Sequence, residues 1–86
     1  MTEGYLFCVY DRKENFHSCY VVYEADEEHA KTLVSQNLES KNVPFTDVRK
    51  IKELNGEKLE VFIHMNQLIN GIEFRRGDCV RVGIYV

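Results

Sequence analysis

Two runs near the N-terminus, residues 5–10 (YLFCVY) and 16–23 (FHSCYVVY), are aromatic, β-branched or otherwise apolar at almost every position. A strand with one wet face alternates apolar and polar residues, so runs without alternation belong at the centre of a sheet. The stretch between them, residues 11–15 (DRKEN), is polar and short enough to close a hairpin. A two- or four-residue loop centred on Lys13 and Glu14 sets Cys8 opposite Cys19 and Tyr10 opposite His17. On the other face it sets Phe7 opposite Tyr20.

The next segment has helical spacing. Asp26 is a good N-cap, and Glu27 and Glu28 suit the positive end of a helix dipole. Ala30, Leu33, Val34 and Leu38 fall on one narrow stripe, and Asn42 and Pro44 end the pattern, which predicts a helix over about residues 26–41 packed on one sheet face. Further on, Asn55-Gly56 reads as a hairpin turn. A three-residue loop with Gly56 in a left-handed bulge puts Ile51 opposite Leu59 or Val61, and Leu59, Val61, Ile63 and Met65 on the core face. Residues 66–78 form a connector with glycine turns, with room for one helical turn at 66–69. The last run alternates, with Val80, Val82, Ile84 and Val86 facing in and Cys79, Arg81, Gly83 and Tyr85 facing out.

The expected order is therefore ββαβββ: one α+β domain over residues 1–86, with a four- or five-stranded, mainly antiparallel sheet and one principal helix on one face. A chain of 86 residues has no room for a second core. The N-terminus carries no basic region, apolar core or small-residue cleavage site, and the apolar runs are far shorter than a membrane span. Three cysteines without paired spacing do not describe a disulfide framework, and reduced thiols in a cytoplasmic setting fit better.

Cys8, His17, Cys19, His29, His64 and Cys79 offer zinc-ligand chemistry, but no tight C-x₂₋₄-C knuckle is present, so no metal or cofactor is expected. A Cys8–Cys19 disulfide is geometrically conceivable, but a cytosolic setting argues against it. A Cys19–His17 pair shares a strand face, yet no glycine-rich turn or helix start is placed to stabilise an oxyanion, and no enzymatic activity is expected. The net charge of −3 is uneven: residues 1–45 hold four Lys/Arg against eight Asp/Glu, and residues 46–86 hold seven against six. Arg49, Lys50, Arg75, Arg76 and Arg81 form a basic nucleic-acid surface if their strands adjoin, and Glu53, Glu57, Glu60 and Glu73 dilute it.

Five Tyr and five Phe exceed what one helix and one sheet face can cover. Tyr5, Tyr10, Tyr20, Tyr23 and Tyr85 all fall on strands, and tyrosine is well suited to interfaces. With Glu24 and Glu28 available to meet a basic partner, these tyrosines are the expected protein-binding residues. The hairpin followed by YEADEEHAK resembles, in layout over residues 5–40, the small host-takeover and anti-defence proteins encoded by phages and other mobile elements. That resemblance implies a compact α+β inhibitor acting by binding, and it carries over no site residue. The expected function is a non-enzymatic module that binds and blocks a larger protein, the runner-up being a small RNA- or DNA-binding module. An uncovered sheet face and an open final strand also lead to the expectation of a homodimer.

Overall fold

The computed structural model describes residues 1–43, 47–71 and 73–82. Six elements follow in order: β1 (Gly4–Tyr10), β2 (Phe16–Val22), α1 (Glu27–Ser40), β3 (Asp47–Leu54), α2 (Gly56–Asn70) and β4 (Cys79–Val82). The fold is α+β, with four antiparallel strands in the order β3-β1-β2-β4. The unalternating runs lie at the centre, as their composition requires.

The β1–β2 register pairs Cys8 with Cys19 and Phe7 with Tyr20, as expected. Tyr10 instead pairs with Phe16, because a bulge shifts the register beyond Val9. The hairpin explains the shift. Asp11 and Asn15 pair across its base, N to O at 2.9 Å, which leaves a three-residue loop with Glu14 left-handed at φ 61°. Three-residue loops of this kind end in a left-handed residue. The odd loop length leaves His17 as the extra residue on β2. The Asp11 carboxylate accepts from the Lys13 and Asn15 amides, and these bonds, Asn15's foremost, hold its pKa below the ordinary value.

Helix α1 is capped as expected, with Asp26 Oδ1 accepting from Glu28 N at 3.1 Å. At its other end the Val43 N–H reaches Leu38 O, the Asn42 N–H reaches Glu39 O, and Asn42 is left-handed at φ 56°, a Schellman stop. Ala30, Val34 and Leu38 are fully buried against Tyr5, Phe7, Val9, Tyr20 and Val22. Leu33, Val48 and Cys79 pack around this core.

The second half differs from the expected order. Residues 56–70 form a helix, so the order is ββαβαβ and the expected strand carrying Leu59, Val61, Ile63 and Met65 does not exist. Asn55-Gly56 is not a turn between strands: Asn55 Oδ1 accepts from Lys58 N at 2.9 Å and caps α2. Gly56 is not in the left-handed region, and a Cβ there meets only the Glu3 side chain at 3.4 Å, so no bulge glycine is required. Helix α2 ends on Gly71 at φ 65°, whose N–H reaches Gln67 O. Ile51 faces no partner strand on α2. It is the extra residue of a bulge between the Leu6–Lys52 and Phe7–Lys50 pairs, and it is exposed.

A second helix means a second core. Leu59 and Phe74, with half-buried Phe62 and Ile63, cover Leu6, Cys8, Cys19, Val21 and Leu54 on the face opposite α1. The expectation of an uncovered sheet face is therefore corrected, and with it one premise of the dimer. Strand β4 is an edge strand among the described residues. Among the described residues no helix is long and apolar enough to cross a membrane.

Gly4 sits where a side chain has no room. A Cβ there would lie 2.5 Å from Val22 O and 3.0 Å from Leu59 Cδ1. Gly4→Ala should therefore force backbone or α2 to shift and cost about 1–3 kcal/mol by urea denaturation. An unchanged midpoint would mean that both Val22 O and Leu59 sit farther from Gly4.

Candidate functional site

The structure scatters the tyrosines. Tyr5 and Tyr20 are buried under α1 and are core residues, not binding surface. The Tyr5 hydroxyl donates to Ala25 O at 2.8 Å; burial raises its pKa, and Glu27 and Glu53 add to the rise. Tyr10 and Tyr23 are half-buried on the α2 face. The Arg49 guanidinium lies 4.3 Å over the Tyr10 ring, and that of Arg76 5.2 Å over the Tyr23 ring. Tyr10 pairs with Phe16 and Tyr5 with Val22, so Tyr10 and Tyr23 mark opposite ends of the hairpin, about 20 Å apart at strand rise. They do not form one patch. Tyr85 lies outside the described residues.

Glu24 is occupied within the fold. It accepts from the Asp26 amide at 3.1 Å and meets His29 Nδ1 at 3.0 Å, which, with the amide first, lowers its pKa. Glu28 is exposed on the first turn of α1.

The basic residues also separate. Arg49 and Lys50 are on β3 and Arg81 on β4, at opposite edges of the sheet with two strands between them. Arg75 and Arg76 lie in the turn entering β4. Arg49 pairs with Asp47 at 2.5 Å and Glu14 at 3.5 Å, Lys50 with Glu27 at 2.9 Å and Glu53 at 3.3 Å, and Arg75 with Glu73 at 2.8 Å. Their pKa values rise, chiefly through Asp47, Glu27 and Glu73 respectively. Strands β3 and β4 do not adjoin, so these residues form no single patch.

The cysteines and histidines do not converge either. Cys8 and Cys19 lie on the α2 face, while Cys79 packs on the α1 face with the sheet between. His17 Nδ1 meets Ser18 Oγ at 2.7 Å. Among the described residues no group of three or more His, Cys, Asp or Glu could hold a metal ion.

One surface escaped the reading of residues 56–65 as strand and turn. At 3.6 residues per turn, Leu59, Phe62, Ile63 and Asn66 point one way along α2, while Val61, Met65 and Leu68 point the other, within an arc of about 60°. The first set is buried or half-buried; the second is 56%, 42% and 85% exposed. Helix α2 is thus apolar on two opposite sides, and among the described residues only one side is covered. The signal was present in Asn55 as a cap, Glu57 in the first turn, Gly71 at the end and the i, i+4, i+7 spacing of 61, 65 and 68.

Beside the start of this stripe is an open cleft of about 410 Å³. Tyr23, Leu59 and Ile63 floor it, and the carboxylates of Glu3, Glu57 and Glu60 rim it. Glu57 sits one turn before Val61, so this carboxylate of the rim adjoins the apolar stripe, while Glu60 points about 100° away from Val61. This combination suits an apolar segment carrying Lys or Arg. Compared with known proteins, the chain matches no family model, no curated protein and no solved structure.

Proposed function

We propose that this chain is a small non-enzymatic module that binds, and by binding inhibits, a larger protein through the outer face of α2. The observation that carries this reading is the alignment of Val61, Met65 and Leu68, all exposed on one helix side. A helix apolar on two sides normally has both covered, and a contiguous exposed apolar stripe is the mark of an interaction site. An apolar helix face docking into a groove is a recurrent recognition mode with anchors at this spacing. The Glu3, Glu57 and Glu60 rim selects a partner whose contact surface is basic at its edge.

Capture from a lysate of the native host, with and without nuclease and between about 50 and 200 mM salt, tests this. A protein partner should survive nuclease and lose little affinity over that range. A nucleic acid held by Arg49, Lys50, Arg75, Arg76 and Arg81 would be lost to nuclease and weaken steeply with salt. A dimer by sedimentation at micromolar concentration that Leu68→Glu dissolves identifies a second copy as the occupant. A monomer of 10.1 kDa leaves the stripe to a different protein.

A further inference from the structure

The central hairpin brings two thiols into register. Cys8 and Cys19 are direct cross-strand partners, and their Sγ atoms are 2.6 Å apart. That is about half an ångström beyond the length of a disulfide bond. Both side chains are buried in the cluster containing Leu6, Leu54, Leu59 and Phe74. The third cysteine, Cys79, lies across the sheet on the α1 side and cannot reach either sulfur in the folded chain.

We infer that Cys8 and Cys19 form a dithiol–disulfide site that closes the β1–β2 hairpin by exchange with a small-molecule disulfide of the glutathione class. Cys8 is the more accessible of the two and reacts first. Its thiolate attacks one sulfur of the oxidant, a protein–S–S–glutathione bond forms, and one glutathione thiolate leaves and takes up a proton. The Cys19 thiol then gives up its proton, and its sulfur attacks Cys8 Sγ and expels the second glutathione as thiol. Two protein thiols and one glutathione disulfide become one protein disulfide and two glutathione thiols. Both sulfurs are buried, so the first step waits on local opening of the cover, and burial, which raises the Cys19 pKa, slows the second. The final bond is favoured because native pairing already holds the sulfurs together. This inference does not depend on the protein-binding reading.

The test is to equilibrate the reduced protein in reduced and oxidised glutathione buffers, trap it by alkylation and map the peptides by mass. The folded protein should show a link between Cys8 and Cys19, the loss of two hydrogens and an alkylated Cys79. By linkage between folding and bond formation, half-oxidation should need about tenfold less oxidised glutathione when folded than in urea. Cys8→Ala should abolish the link. Equal requirements in the folded and urea-unfolded chains, a product that stops as glutathione adduct, or a link through Cys79 would overturn the site. The wild-type comparison stands even if Cys8→Ala fails to fold.

Discussion

Leu59→Ala should cost about 2–5 kcal/mol, while Val61→Ala, two residues on, should stay within about 0.5 kcal/mol. Leu59 is 1% exposed and lies between α2 and the sheet, in contact range of the Gly4 position and packed with Leu6, Leu54 and Phe74. Truncating it removes apolar contact and leaves a cavity between layers. Val61 lies on the far side of the helix, where its methyl groups meet solvent in the isolated chain. On a strand, residues two apart share a face and both substitutions would be costly. Urea unfolding of the two variants therefore separates the helix from the strand. A small domain has about 5–15 kcal/mol in total, so the Leu59 variant should be near the edge of folding. Comparable losses at both positions would restore the strand.

Tyr20→Ala should be more damaging still, about 3–5 kcal/mol, as for removal of other buried aromatic rings. Tyr20 is 1% exposed, opposite Phe7 on the face that packs against α1. At about 4–8 °C per kcal/mol for a domain of this size, its melting temperature should fall by at least about 12 °C. A tyrosine held for a partner would show the reverse pattern, with melting unchanged and binding lost. An unchanged melting temperature would return Tyr20 to the surface.

The two halves of the chain differed in legibility for physical reasons. In the first half, runs without alternation, an Asp cap and a single apolar stripe all pointed to one answer, and the central hairpin, its Cys8–Cys19 register and α1 followed. The bulge that places His17 out of register depended on a three-residue loop with Glu14 left-handed, a conformation for which Glu gives no signal. In the second half, Asn55-Gly56 fits a hairpin turn and also fits a helix start. Leu59, Val61, Ile63 and Met65 repeat every second residue, which imitates a strand, because α2 is apolar on both its inner and outer sides. Two helical stripes on opposite sides add up to strand-like alternation.

That same ambiguity displaced the site. If residues 56–65 were strand and turn, the second sheet face would have no cover and the tyrosines would be left over. With α2 in place, Tyr5 and Tyr20 are core, Tyr10 and Tyr23 are half-buried at opposite ends of the hairpin, and the unmatched apolar surface moves to Val61, Met65 and Leu68. The basic residues were legible as residues but not as a surface, since β3 and β4 become opposite edges only when the strand order is known.

What decides between these surfaces is quantitative capture by wild-type and Leu68→Glu protein after nuclease treatment, at equal folded concentration. Leu68 is the most exposed residue of the stripe, at 85%, so the charge should leave the isolated fold and its melting temperature unchanged. Docked, the carboxylate would be buried against an apolar surface, and the loss should match an interface hot spot, roughly thirtyfold or more in affinity. Equal capture by both proteins, or capture that nuclease abolishes, would contradict a docking face on α2.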